Sequence, residues 1–192
     1  RFRQNDLTLS KNAFFSSSVR LKSESDYNYA TRLTHVIARG MAHVHWERFD
    51  PSVYNQMIPV WENFILYLMG KFSGIPEFER YHFTIPEKSM ERGVGLCGDA
   101  SMLLSELLTR EKIKNKIVTV PGHVMVEAIL DGNEILLDPD FGLVLTHSVS
   151  TYVNNADLLE AEYNQNGFVG NGEDVVRNGM KTGEVIYWNG AK

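Results

Sequence analysis

The segment from residue 121 to residue 139 limits the fold of this chain more than any other, because it is typical of a β-hairpin. Residues 121–130 alternate in polarity and are rich in β-branched and apolar side chains, and residues 134–138 form a matching return strand that ends before a proline. Asp131 and Gly132, which lie between the two strands, are a strong signal for a two-residue hairpin turn. We therefore expect an antiparallel sheet built around this segment.

The register of this hairpin brings an imidazole close to a carboxylate. With a two-residue turn, Leu130 lies opposite Asn133 and Met125 lies opposite Asp138. His123 and Asp138 then share one face of the sheet, one diagonal step and roughly 5.5–8 Å apart, which is within side-chain reach. A three-residue turn would put Asp138 on the opposite face. The two-residue turn thus predicts a histidine–carboxylate pair.

Two other carboxylates lie near this pair in the predicted sheet. Asp140 is directly opposite His123 in the same register, but the proline before it makes strand pairing there less certain, so we predict Asp138 as the partner. Glu127 shares the face of His123, and we predict that it belongs to a solvated rim of the sheet.

The only cysteine of the chain, Cys97, lies where a glycine-rich loop meets a predicted helix. The apolar residues that follow it recur at helical spacing: Met102, Leu103, Leu104, Leu107 and Leu108. The unpaired N–H groups and the positive dipole end at a helix N-terminus favour the thiolate form of a cysteine, which is the nucleophilic form. The alternative interpretation is a small buried core residue, as most lone cysteines are.

Three motifs, GLCGDAS, GHVMVEA and LLDPDFG, follow one another in residues 90–141, about a quarter of the chain. In this order and spacing they resemble the transglutaminase-like core of the papain-like cysteine enzymes. That family has a cysteine at a helix start, a Gly-His pair that opens a strand and an Asp-Pro pair that closes the next strand. The resemblance implies that Cys97 is the nucleophile, His123 the general base and acid, and Asp138 the group that orients His123.

The resemblance also implies a fold and a reaction. The expected fold is α+β, with the catalytic helix packed on an antiparallel sheet and a helical part on its N-terminal side. The expected activity is cysteine-dependent acyl transfer at an amide bond of a peptide or related molecule, through a thioester, with a protease or amidase slightly favoured. The alternatives are a transglutaminase-type acyltransferase that uses an amine, and a non-catalytic binding module on the same fold. The substrate is expected to be a peptide, a protein or a glycan-linked molecule, and no cofactor is implied.

Members of this family often complete the oxyanion hole with a side chain that precedes the nucleophile. The upstream candidates are Gln56, Trp61, Tyr81 and His82. We predict Gln56, because its amide donates hydrogen bonds and it lies at the entrance to a predicted helix.

Composition excludes several other classes of protein. A net charge of −5 indicates no nucleic-acid partner, and no apolar run approaches the ~20 residues of a membrane-spanning helix. A single cysteine excludes an intramolecular disulfide. The chain begins with Arg1 rather than Met, which leaves a secreted or cell-envelope location open.

The rest of the sequence predicts one domain over residues 25–192, preceded by a polar arm over residues 1–24. Residues 25–75 form the helical part, with a helix from Asp26 to His45 capped by Ser25 or Asp26, and a second helix that begins at Pro59 and stops at Gly70. Both helices are expected to pack around the catalytic helix as scaffold.

After the catalytic core, residues 142–192 predict a helix over 155–163, flexible loops over 165–172 and 177–183, and a possible last strand over 185–188.

No metal site is predicted. His43 and His45 are two residues apart on a segment predicted to be helical, so their side chains point in different directions. No cysteine or carboxylate lies beside them at the spacing of a metal ligand.

Overall fold

The computed structural model describes residues 7–43, 60–61, 63–75, 85–168 and 173–189, and over these residues the chain is mixed α+β. The helices are α1 (Lys11–Ser18), α2 (Asp26–Gly40), α3 (Phe64–Phe72), α4 (Pro86–Arg92), α5 (Cys97–Arg110), α6 (Val149–Asn154), α7 (Ala156–Gln165) and α8 (Glu173–Lys181). The strands are β1 (Ala42–His43), β2 (Val94–Gly95), β3 (Asn115–Val120), β4 (His123–Leu130), β5 (Asn133–Asp138), β6 (Leu143–Leu145) and β7 (Ile186–Trp188).

The main sheet is antiparallel, with strand order β6-β5-β4-β3-β7. Leu130 pairs with Asn133 across the β4–β5 turn, so the turn has two residues, as predicted. Asp131 and Gly132 both have positive φ, 51° and 85°, as the type I′ turns of tight hairpins require. The predicted hairpin and its register are confirmed.

The sheet carries an apolar core on each face, because neighbouring residues of a strand point in opposite directions. Val126 and Leu137 belong to the core shared with α1, α2 and α5, and Met125 belongs to the core shared with α6, α7 and α8. Each fully buried side chain of this size contributes about 1.5–3 kcal/mol to the stability of the fold. The predicted packing of the Cys97 helix on an antiparallel sheet is therefore correct.

The N-terminal segment contains a helix that the predicted arm omits. Helix α1 begins after Ser10, whose hydroxyl accepts a hydrogen bond from the backbone N–H of Ala13 at 3.3 Å. Its Phe14 is buried against α2, where a side chain in place of Gly40 would begin 2.5 Å from the Phe14 ring. A short helix held by one aromatic ring has no apolar periodicity, which is why the sequence does not reveal it.

Helix α2 begins at Asp26 with Ser25 as its cap, as predicted, but it ends at Gly40 instead of His45. The chain then turns into β1, where Ala42 donates a 2.8 Å backbone hydrogen bond to the carbonyl of Gly93. His43 is therefore in a strand, and its assignment to a helix is wrong. His45 lies outside the described residues.

The second predicted helix is present as α3, from Phe64 to Phe72, and Asn63 caps it. Its predicted start at Pro59 lies outside the described residues. Its apolar stripe faces solvent, since Phe72 is 80% exposed and Trp61 just before the helix is 84% exposed. The prediction that this helix packs around the catalytic helix as scaffold is therefore wrong, because periodicity identifies an apolar face but not what covers it. Over the described residues, no helix combines the length and apolarity needed to cross a membrane.

The C-terminal segment is more helical than predicted. Helix α7 matches the predicted helix, but α8 covers residues 177–181 of the segment over 177–183 that the glycines and asparagines marked as a loop. Val176 and Met180, four residues apart, are fully buried against the sheet, and this contact stabilises α8. The helix approaches so closely that a Cβ at Gly179 would lie 2.9 Å from the Pro121 carbonyl. The predicted last strand is confirmed as β7 at the edge of the sheet.

Candidate active site

Cys97 is the first residue of α5, as the sequence predicts. Leu96 before it is extended, and its backbone N–H donates a 2.8 Å hydrogen bond to the Asp99 carboxylate, which fixes the helix start. Strand β2 leads directly into this turn. Cys97 is only partly buried, which argues against a sealed core cysteine.

His123 is the first residue of β4, and its side chain is only 5% exposed. Its Nε2 lies 2.8 Å from Oδ2 of Asp138, so the predicted histidine–carboxylate pair is present. The Cys97 side chain lies close enough to the same ring to help raise the pKa of His123. Because Nε2 faces Asp138, Nδ1 is the nitrogen that remains for the sulfur. The three residues predicted as a triad therefore lie together.

Asp138 is fully buried, and four donors compensate for the cost of burying its charge. His123 and the Tyr163 hydroxyl donate to Oδ2, while the backbone N–H groups of Asp140 and Phe141 donate to Oδ1 at 3.1 and 3.2 Å. The contribution of Tyr163 was not predicted. It comes from α7, and an amphipathic helix pattern does not reveal which distant carboxylate a tyrosine will meet.

A cluster of aromatic rings covers one side of the site. The Phe141 ring makes edge contacts with the rings of His123, Tyr163 and Phe168, at centroid distances of 5.6, 5.4 and 5.2 Å. These rings keep water from the imidazole and the carboxylate, and the lower local dielectric strengthens their attraction.

The pKa of His123 is raised well above its ordinary value, although two opposing effects act on it. Burial by itself lowers the pKa, because it disfavours the charged ring. The charge and hydrogen bond of Asp138, the contact with Cys97 and the charge of Asp140 together outweigh burial. The site therefore favours an imidazolium at neutral pH.

Asp140, the alternative carboxylate, is not the residue that receives the Nε2–H of His123. Its Oδ1 is hydrogen-bonded to Nδ1 of His43 instead. Of the two carboxylates, Asp138 is the one hydrogen-bonded to Nε2 of His123, since strand β5 ends at Asp138 and Pro139 directs the chain away from strand pairing. The His43–Asp140 pair was not predicted, because its two members are far apart in the sequence.

Within the described residues, one group of side chains has the spacing of metal ligands. His123, Asp138 and Asp140 offer atoms that all lie within 4.8 Å of one another. Both oxygens of Asp138 already accept hydrogen bonds, one of them from His123. This pairing favours an acid–base group over a cation site.

Two predictions for other residues have different outcomes. Glu127 is buried rather than in a solvated rim: its Oε1 accepts the Val149 N–H at 2.8 Å, and its Oε2 lies 2.7 Å from Nζ of Lys116. It ties the start of α6 to the sheet. The oxyanion candidate Gln56 lies outside the described residues, as do Tyr81 and His82.

No protein-family model, no curated protein and no solved structure matches this chain. The resemblance to transglutaminase-like enzymes therefore rests on the three motifs. An activity has to be argued from the chemistry of the site.

Proposed function

We propose that this protein is a cysteine-dependent acyl-transfer enzyme with a transglutaminase-like core, and that it hydrolyses an amide bond of a peptide or related molecule. One observation carries the proposal: His123 is hydrogen-bonded to Asp138, and Cys97 lies close enough to the same ring to raise its pKa. Nucleophile, base and orienting group in this order are the working parts of a cysteine triad.

In the first step, the Cys97 thiolate attacks the carbonyl carbon and forms a carbon–sulfur bond. The carbon–nitrogen bond then breaks, and His123 gives its Nδ1 proton to the departing amine. The raised pKa of His123 supports this role, because the ring holds a proton for the leaving group at neutral pH. The product of this step is a thioester on Cys97 and a free amine.

In the second step, His123 is neutral and takes a proton from water as the water oxygen attacks the thioester. The carbon–sulfur bond breaks, the acid leaves, and Cys97 and His123 return to the thiolate and imidazolium forms. Asp138 keeps the ring oriented through both steps, since its other donors hold the carboxylate in place. Water is the only co-reactant: its oxygen and one hydrogen become part of the acid, and its other proton is taken up by His123.

The start of α5 supplies the means to stabilise negative charge on the carbonyl oxygen. The first N–H groups of a helix have no partner within the helix, and the N-terminal dipole end is positive. The backbone N–H of Cys97, the first residue of α5, is one of these groups. A hydrogen bond of this kind commonly contributes about 10²–10³-fold to an acyl-transfer rate.

A hydrolase and a transferase of this kind differ in the acyl acceptor, which is water for the hydrolase and an amine for the transferase. A site that passes its acyl group to an amine must keep water away from the thioester. Cys97 is only partly buried and so is not enclosed in the interior. This exposure supports hydrolysis.

The experiment uses the whole chain with p-nitrophenyl acetate, an ester that acylates reactive thiols, and an iodoacetamide–alkyne probe. We expect a burst of p-nitrophenol, an acetyl group on Cys97 by mass spectrometry, and probe labelling that is lost in Cys97→Ala. The acylation rate of His123→Ala should fall by about 10²–10⁴-fold.

The control is His35→Ala, since His35 is an exposed residue of α2. It should acylate like the wild type. Equal rates for His123→Ala and His35→Ala would refute the proposed mechanism. Adding a primary amine separates the acceptors: release of acetate supports a hydrolase, and an acetamide product supports the transferase.

A further inference from the structure

The loop after β5 places a second carboxylate beside the catalytic histidine. Asp140 is buried, and its ligand oxygen lies within 4.8 Å of the corresponding atoms of His123 and Asp138. Its backbone N–H donates to Oδ1 of Asp138. Asp140 thus contacts the orienting carboxylate through its backbone and faces the imidazole with its charge.

The Asp140 side chain is held from the opposite side of the site by His43. His43 lies on β1, which pairs in parallel with β2, so that His43 is opposite Gly95, two residues before Cys97. His43, Asp140 and Leu96 line one small pocket at the start of α5. The His43–Asp140 bond therefore connects the strand that leads to the nucleophile with the loop that follows the orienting carboxylate.

We propose that Asp140, held in place by His43, is a second positioning carboxylate of the site. Two carboxylates, rather than one, then orient the His123 ring and stabilise its protonated form. This inference rests on the proposed function and goes beyond the triad. Neither residue is assigned to contact the substrate. Both act through His123 and Asp138.

The charges around His123 determine whether its pKa rises or falls when Asp140 is neutralised. Asp138 of β5, Asp140 of the following loop and Cys97 of α5 face the ring directly. Tyr163 of α7 is hydrogen-bonded to Asp138, and His43 of β1 is hydrogen-bonded to Asp140. Removing the charge of Asp140 takes a negative group away from the imidazolium, so the pKa of His123 should fall.

The test is Asp140→Asn, which keeps the volume, the backbone N–H and an oxygen that can accept from His43. Its control is Asp157→Asn, because Asp157 is a carboxylate on α7 that is 80% exposed. The readouts are the NMR titration of the His123 ring and the pH profile of acylation by p-nitrophenyl acetate. The inflection of that profile which is lost in His123→Ala should move to lower pH in Asp140→Asn only. The rate at the optimum should fall far less than the roughly 10²–10⁴-fold cost of losing a proton-transfer group.

His43 provides an independent second test. His43→Leu, which has no donor, should move the same inflection to lower pH, and His43→Gln, which keeps an N–H donor, should restore it. Combining Asp140→Asn with His43→Leu should add no further displacement, because both changes act through one contact. A purely structural role would lower stability without moving the inflection.

The two proposals fail in different ways. A His123 titration in Asp140→Asn that matches the wild type overturns the inference and leaves the proposed function intact. Unchanged acylation in His123→Ala refutes the proposed function, while the NMR titration still measures the effect of Asp140. If Asp140→Asn does not fold, the two His43 variants decide by the same titration.

Discussion

Two histidine–carboxylate pairs of this protein have nearly the same geometry and very different surroundings. His123 lies 2.8 Å from Asp138, and His147 lies 3.0 Å from Glu162. The His147 side chain is 43% exposed, whereas that of His123 is 5% exposed. An exposed pair is screened by water and contributes about 0–1 kcal/mol. Both pairs make a histidine–carboxylate contact, and burial is what distinguishes the pair of the candidate site from the exposed pair.

The two pairs also differ in their third partner. The imidazole of His123 has a cysteine at a helix start close enough to raise its pKa, whereas that of His147 is next to the hydroxyl of Thr146. Thr146 and Glu162 both contact Nδ1 of His147, so this ring does not connect a carboxylate on one nitrogen with a nucleophile on the other. Variants of the two pairs separate the effects of burial and of the thiol from the effect of the histidine–carboxylate contact itself.

The largest expected effect is on acylation of Cys97. His123→Ala should slow acylation by p-nitrophenyl acetate by about 10²–10⁴-fold, because the proton donor and acceptor is lost. His147→Ala should leave the rate unchanged. Stopped-flow measurement of p-nitrophenol release gives both values, and a comparable loss in the two variants would remove the distinction between the pairs.

The next effect is on stability. Asp138→Ala should lower the free energy of unfolding by about 3–5 kcal/mol, since it leaves a buried partner without its counter-charge. Breaking the exposed pair with His147→Ala should cost at most about 1 kcal/mol. Urea denaturation measures both changes, and similar costs would mean that burial does not control the strength of the pair.

The tyrosines beside the two carboxylates allow a finer comparison. Tyr163→Phe removes a buried hydroxyl that donates to Asp138, and we expect a loss of about 1.5–3 kcal/mol, as for hydrogen bonds to charged groups. Tyr152→Phe, which removes the corresponding donor to Glu162, is the matched control. Only Tyr163→Phe should also slow acylation. If both variants slow it, the effect comes from the α6–α7 core rather than from the site.

The smallest effect is a dependence of stability on pH. The raised pKa of His123 in the folded protein means that its protonated form contributes stability in full below the unfolded pKa of about 6.5. This contribution is lost as the pH rises through the raised folded pKa, by at most about 1.4 kcal/mol per pH unit. The stability advantage of the wild type over His123→Gln should therefore shrink with rising pH. His147→Gln serves as the control for replacing a histidine, and a constant advantage across the range would contradict the shift.

The sequence alone determines the parts of the site that depend on neighbours in the chain. The Asp131–Gly132 turn and the alternation around it set the hairpin register, and this register alone brings His123 and Asp138 together. Glycines followed by apolar residues at helical spacing place Cys97 at a helix start. These features are predictable because turn conformation and side-chain periodicity are local properties of the backbone.

Only the tertiary structure decides which distant groups complete the site. Tyr163 reaches Asp138 from a helix on one face of the sheet, and His43 reaches Asp140 from a strand that the sequence marks as helix. The exposed stripe of α3 and the buried face of α8 also depend on which elements cover them. The residues adjacent in the sequence do not predict such contacts, because burial and long-range hydrogen bonds arise from the packing of the whole chain.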